Sequence, residues 1–388
     1  MDVRPSNDPS SVTEMVGMSA PVDCSKPYDT STLAGKTILI TGGASGFGAA
    51  FARNWARHGA HLIIGDVNDR AGEELVAELR SAPSTAASQI IVYQHCDVTS
   101  WADQVSLFQT ALASSPTHSL DAVVAGAGII EKGNPLTPSA TSPFDLPHNL
   151  GPSPNNNNTT SPPPPPPPLH ILAVNLTGVM YTTHLALYHL PRNPNPSGDR
   201  HLLLLSSIAG ISPLPGQTEY TASKHAVMGL FRALRGTAWR AHGVRVNVLA
   251  PYFVDTPLLP AAGMVLLAGV AKGEVGDVVD AGTRLMADAG VRGRGLVVGP
   301  GVRVVDDDDG DGDREGGGGF GGVRVVEGEG WREGERRQAV WEVYGHDYDR
   351  VEVFVWRYLA VMNLMRGIKG WVGVVTDMWA ICFGRRRR

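Results

Sequence analysis

From Lys36 onward, apolar positions come in short runs separated by helical stretches and turn residues. Thr37-Ile38-Leu39-Ile40 is an unbroken apolar run ending in Thr41-Gly42-Gly43, the pattern of a parallel strand buried on both faces and entering a turn. Residues 49–58 have helical composition and stop at Gly59, and His61-Leu62-Ile63-Ile64-Gly65-Asp66 predicts a second strand that completes a βαβ unit. The spacing then predicts a helix over 70–81, a strand over 90–93, a helix over 101–114 and a strand over 122–124. After an interruption the alternation resumes with a helix over 171–188, a strand over 201–205, a long helix from about 219 to 241 and a strand over 245–249. Leu296-Val297-Val298 is the candidate last strand. Such repetition predicts an α/β fold, a doubly wound parallel sheet of the Rossmann type in one domain over 33–302, with ligands beyond the carboxyl ends of the strands.

Composition divides the rest. Hydrophobic residues make up 43% of the 388, enough for a large core, but many of the 46 glycines and 28 prolines are concentrated in stretches that cannot pack. Residues 1–32, rich in Ser, Pro and Asp, predict a disordered leader without the apolar centre of a secretory signal. Residues 133–168, with Asn155 to Asn158 and the run Pro162 to Pro168, read as a surface insertion, and 303–330 as an acidic, glycine-rich linker. Residues 331–388 predict a helical C-terminal extension. Its two amphipathic stripes, one from Val351 to Met365 and one from Trp371 to Cys382, suit packing on the core, on a second subunit, or on a membrane surface with Arg385 to Arg388.

A formal charge of −5 provides no general attraction to nucleic acid. Cys24, Cys96 and Cys382 are too scattered for a disulfide framework or a cysteine zinc site; no metal is expected, and a reducing, cytoplasmic setting is.

The chemistry lies at the predicted strand ends. Thr41 to Gly48 stands between strand and helix, where Gly42, Gly46, Phe47 and Gly48 bring backbone close to a pyrophosphate at a helix N-terminus. Asp66 ends the second strand, suits both ribose hydroxyls of NAD and repels the 2′-phosphate of NADP. Asp97 and Val98, after the third strand, are candidates to border an adenine. Tyr220 and Lys224 are four residues apart on one helical face, so the ammonium is expected to lower the pKa of the phenol and ready it for proton transfer. Ser207 emerges at the same sheet edge. Asn175 interrupts an apolar helix, either as a satisfied buried amide or as the holder of a water.

In this order and context, Thr41 to Gly48, Asp66, Asp97, Asn175, Ser207, Tyr220 and Lys224 resemble the short-chain dehydrogenase/reductase family over about residues 33–300. Within it the chain is similar to NAD-dependent alcohol dehydrogenases such as 15-hydroxyprostaglandin dehydrogenase and the fungal secondary-metabolite dehydrogenases. The resemblance implies Tyr220 as acid/base, Ser207 orienting the substrate oxygen, Lys224 on the nicotinamide ribose and Asn175 supporting a water relay. It also implies cofactor contacts from Gly128, Pro251, Val254 and Thr256, and a homo-oligomer. Three departures stand out: Ala125-Gly126-Ala127-Gly128 where the family has Asn-Asn-Ala-Gly, which removes side-chain braces from the central strand; Tyr252 after Pro251; and Phe47 between the last two glycines.

Leu258, Leu259 and Met264 to Leu267 suit either a lid over an apolar substrate or core packing. Oxidation of a secondary alcohol on a lipid-like, aromatic or polyketide-like molecule is the expected reaction. An NAD(H)-dependent ketone or quinone reductase, and a non-catalytic nucleotide-binding scaffold, are the alternatives.

Overall fold

The computed structural model describes residues 16–131, 166–167, 169–195, 198–212, 214, 216–258, 269, 271–306, 323–326, 331–344, 361 and 364. Seven parallel strands form its centre: β1 (Thr37–Thr41), β2 (His61–Asp66), β3 (Ile91–His95), β4 (Ala122–Ala125), β5 (His201–Leu205), β6 (Arg245–Pro251) and β7 (Gly295–Asp306). Their order is β3-β2-β1-β4-β5-β6-β7, with all six neighbouring pairs parallel. The winding direction reverses between β1 and β4, where a doubly wound sheet opens its ligand crevice. The predicted α/β fold is observed.

Alternate residues of each strand feed opposite cores, which is why the strands read as unbroken apolar runs. Ile38 and Ile40 join a cluster with α1 (Gly46–Arg57), α2 (Asp69–Ser81) and α7 (Val275–Ala287), whose Phe51 and Trp55 rings stack at 4.9 Å. Leu39 points the other way, into a cluster with Phe108 of α3 (Trp101–Ser114), Leu185 of α4 (Val179–His189) and Phe231 of α5 (Thr218–Arg235). A short α6 (Ala238–His242) follows, ended by Gly243 in the left-handed conformation. The helix expected over 171–188 runs through 170–189, but over Ala173–Gly178 it widens into π geometry centred near Asn175. Such widening is frequent at functional sites.

Four expectations are corrected. The leader is anchored from residue 16 on: Val16 and Met18 are buried, the Ser19 N–H donates to Arg292 O at 3.0 Å, and Tyr28 Oη donates to Asp280 Oδ1 at 3.0 Å. A few apolar anchors in a polar stretch suffice because they dock on α7 and the approach to β7. The last strand does not stop at Val298; it continues to Asp306, past the expected linker boundary. Val323–Val325 is a strand within that expected linker, β8, antiparallel to β7. The extension expected to be helical contains β9 (Arg336–Val343), also antiparallel to β7 and pairing from Gly295↔Val343 to Val304↔Arg336. Here long-range backbone pairing outweighs local composition. Nearly all of the insertion, the acidic run over 307–322, and both C-terminal stripes except positions 361 and 364 lie outside the described residues.

The Ala125 to Gly128 segment does not leave the sheet unbraced. Thr41 Oγ1 donates to Val124 O and accepts the N–H of Gly126, both at 3.2 Å, so a β1 hydroxyl makes the cross-strand tie.

Candidate active site

The glycine loop leaves β1 through Gly42 and Gly46, whose φ angles of +68° and +51° only glycine adopts freely. Gly48 is required by packing: a Cβ there would lie 2.3 Å from Gly42 O and 2.8 Å from Gly43 Cα, both backbone. Ser45 gives α1 no side-chain cap and its first turn carries no acidic residue, so the helix end can receive an anion. Phe47 sets its ring half-buried against the core cluster. Asp66, at the end of β2, accepts the Ala44 N–H on Oδ2 (3.0 Å) and the Asn68 N–H on Oδ1 (3.1 Å), and each oxygen retains a lone pair for a ribose hydroxyl. These features fit a dinucleotide.

Asp97 and Val98 lie at the same sheet edge, but their side chains are engaged locally. Asp97 Oδ1 accepts from the N–H and hydroxyl of Thr99, each at 2.8 Å, in an Asx-type turn that leads into α3. Val98 is buried against Gly178, where a Cβ would come within 2.8 Å of its methyl.

The second half of the site gathers where α5 crosses the carboxyl ends of β4, β5 and β6. Tyr220 is buried among Ile129, Ile130, Ile171, Ala209 and Leu214. Ser207 follows β5; its Oγ accepts the Ala209 N–H at 3.2 Å and donates to Pro251 O at 3.4 Å, and it acts on the Tyr220 phenol by pulling its pKa down. Lys224 is also buried, with Nζ 5.7 Å from the Tyr220 ring centroid and donating to Leu205 O at 3.1 Å. Burial pulls the lysine down to about 8. The phenol moves opposite to expectation. Burial raises it above its ordinary value, Ser207 pulls it back, and the charge of Glu131 pushes it up again. The lysine, itself desolvated, does not reverse this order.

Asn175 is fully buried and satisfied. Its Oδ1 accepts the Ile129 N–H (2.8 Å), and its Nδ2 donates to Ile129 O (2.8 Å) and Ser223 Oγ (3.1 Å). Both amide hydrogens are thus used, leaving one Oδ1 lone pair for a water. Gly128 sits between these groups: a Cβ there would be 3.5 Å from both Asn175 Oδ1 and Lys224 Nζ. At the end of β6, Pro251 and Val254 are buried, Val254 bridges Gly273, and Thr256 is half-buried. Tyr252 turns its ring edge-on to Phe253 at 4.9 Å. Leu258 is exposed, and the remaining candidate lid leucines lie outside the described residues.

Two contributors escaped the sequence reading. Ser223 donates to Tyr220 O at 2.7 Å while receiving Asn175. Glu131 caps α5 by accepting the N–H groups of Glu219 (2.8 Å) and Tyr220 (3.2 Å). An acidic residue closing the apolar stretch from Ala122 was its one visible signal.

The chain matches the short chain dehydrogenase family over residues 36–145 and 169–263, a match that breaks within the Asn/Pro-rich insertion. It is 36% identical over 291 residues to 5′-hydroxyaverantin dehydrogenase of Dothistroma septosporum, covering 70% of this chain and 87% of that one. It is 29% identical over 284 residues to the NADP-dependent dehydrogenase clz5 of Cochliobolus lunatus, covering 68% and 89%. In fold it is similar to 3-ketoacyl-(acyl-carrier-protein) reductase from Brucella melitensis, solved with NADH, at a TM-score of 0.54 and 24% identity over 69% of this chain and 97% of that one. The chain therefore belongs to the short-chain dehydrogenase family, the nicotinamide-dependent oxidoreductases of alcohols and ketones, with dehydrogenases of fungal secondary metabolism among its relatives.

Proposed function

We propose that the protein is an NAD-dependent dehydrogenase that oxidises a secondary alcohol on an apolar molecule of lipid-like, aromatic or polyketide-like character, with Tyr220 as acid/base. The observation that carries this reading is the setting of Tyr220: a phenol in an apolar pocket, with buried Ser207 at the same sheet edge and buried Lys224 one turn later. The name of the Dothistroma relative, a dehydrogenase of a hydroxylated compound, supports the substrate class.

The amides of Gly46, Phe47 and Gly48 would hold the pyrophosphate, Asp66 the adenosine ribose, and Asp97 and Val98 would border the adenine. Gly128, Lys224, Pro251, Val254 and Thr256 would surround the nicotinamide half. When bound, the nicotinamide takes up the hydride that leaves the substrate carbon. Ser207 Oγ orients the substrate oxygen, and Tyr220 Oη receives its proton. Lys224 has three donors, one committed to Leu205 O, which leaves two for ribose hydroxyl and phenolate. Asn175 offers its remaining lone pair to a water that passes the proton outward. Asp66 is the ground for preferring NAD, since the loop residues Ala44, Ser45, Val67 and Asn68 include no cation for an additional phosphate.

The raised phenol favours a second reading, an NAD(H)-dependent ketone or quinone reductase, because a tyrosine that keeps its proton at neutral pH is ready to donate it. A homo-oligomer in the cytoplasm is the assembly and setting we propose, from the family relationship and the cysteine usage.

The test is NADH formation from a panel of apolar secondary alcohols, with the matching ketones assayed in reverse, NAD or NADP supplied, and Tyr220→Phe alongside. Turnover with NAD should fall by about a thousandfold or more in Tyr220→Phe. A preference for NADP would overturn the role of Asp66, and an active Tyr220→Phe would overturn the acid/base assignment.

A further inference from the structure

Glu131 is an acidic side chain bonded to the Tyr220 backbone that the proposed chemistry leaves without a task. It lies on the segment after β4 and is 8% exposed, as buried as Tyr220 itself. The residue that should cap α5, Gln217, contributes no side-chain cap. Glu131 does so from 88 positions upstream, its Oε1 accepting the N–H of Glu219 at 2.8 Å and of Tyr220 at 3.2 Å. The other oxygen, Oε2, is buried without a partner among the described residues.

We propose that Glu131 is a positioning residue for Tyr220: it ties the post-β4 segment to the first turn of the catalytic helix and sets a negative charge at the tyrosine backbone. The inference rests on the acid/base reading of Tyr220. A helix needing only a cap obtains one from a short Ser, Thr, Asp or Asn next to it. A buried glutamate with a bare oxygen is costly by comparison, because a desolvated carboxylate wants all its lone pairs engaged. What this arrangement adds is geometry and charge. The segment that carries Glu131 also carries Gly128 and Ile129, and Ile129 is clamped by Asn175, which is bound to Ser223 on α5. Glu131 closes the same connection at the tyrosine backbone, so the height of Tyr220 over the nicotinamide half of the site is set from two sides.

The charge has a separate consequence. The charged groups around the phenol are Glu131 from the post-β4 segment, Glu219 beside it on α5, and Lys224 one turn on; Ser207 faces it from beyond β5. After burial and the opposing influence of Ser207, Glu131 holds the phenol up. An isosteric neutral side chain retains an oxygen for the two N–H groups, removes the charge, and puts an amide NH2 in place of the partnerless Oε2.

The decisive experiment is an ultraviolet titration of the Tyr220 phenolate, read as the difference between each protein and its Tyr220→Phe counterpart, for the wild type, Glu131→Gln and Glu131→Ala. Glu131→Gln is expected to lower the phenol midpoint by about one pH unit and to move the acid limb of kcat/KM for alcohol oxidation the same way. Glu131→Ala should lose about tenfold or more in kcat through displacement of Tyr220, with Glu131→Gln restoring most of it. An unchanged midpoint in Glu131→Gln, or equal kcat in the two variants, overturns the proposal. The titration needs no substrate, so it decides on Glu131 even if an active Tyr220→Phe enzyme were to overturn the acid/base reading.

Discussion

His201 at the start of β5 shows how one side chain sets a response to pH. It is fully buried; Asn247 Nδ2 approaches its Nε2 at 3.1 Å, and its Nδ1 has no partner among the described residues. Burial, with the nearby Arg245 charge, holds it well below its ordinary value despite the opposing Asp199. The native state therefore refuses a proton that the unfolded chain accepts below about pH 6.5, so the stability His201 supports is present above that pH and is lost as pH falls through it. The slope is about 1.4 kcal/mol per pH unit for one proton. Carboxylates act lower: although burial opposes it, Arg245 and Lys36 hold Asp199 well below the usual carboxylate range. In urea unfolding between about pH 6.5 and 5, His201→Gln should flatten the pH dependence by about that slope. An unchanged slope would assign the acid sensitivity to other groups. The sequence displayed a histidine at a strand start, but its burial depends on β4 and β6 closing over it, which no local pattern records.

At the scale of elements, most motif positions were legible because they sit where an apolar run ends (Gly42 after β1, Asp66 at the end of β2, Ser207 after β5), while Tyr220 and Lys224 showed through their four-residue spacing on α5. Hidden were the connections between those elements. Asn175 could be seen interrupting a helix, but not that the helix widens to π geometry there, nor that its amide spans the Ile129 backbone and Ser223. The expected lowering of the Tyr220 phenol failed for a related reason: helical spacing gives proximity to Lys224 but not the burial that dominates both groups. Asn175→Ala would leave the N–H and C=O of half-buried Ile129 without their side-chain partner. The expected cost is about 1–3 kcal/mol from two half-buried backbone groups that lose a partner, measured as a lower urea midpoint at constant m. A loss of turnover without a loss of stability would mean that the amide serves the proton path alone.

Over the whole molecule, the largest departure from expectation is that the chain returns to the sheet after its acidic, glycine-rich stretch. β9 covers the outer edge of β7, burying Ala339 and Val340, while β8 pairs with its far end. Polar ties reinforce the contact: Arg294 Nη1 bonds Glu342 Oε1 at 2.9 Å, Arg235 Nη1 donates to Tyr344 O at 2.8 Å, and Arg337 forks onto Asp277 of α7 at 2.7 Å. The N-terminal strap meets the same region, since Arg294 also donates to Ser19 O. Ending the chain at Asp306 would bare the edge of β7 and leave Arg294, nearly fully buried, without its carboxylate. The candidate catalytic and cofactor positions all precede β7, so the shortened protein should still bind its nicotinamide cofactor at low temperature. It should melt about 10 °C lower in calorimetry, given a few degrees per kcal/mol in a chain of this size, and associate in size-exclusion chromatography as its concentration rises. An unchanged melting temperature with a single monodisperse peak would mean that β9 contributes nothing to the sheet's stability, and the reason for the returning strand would then have to be sought in a partner.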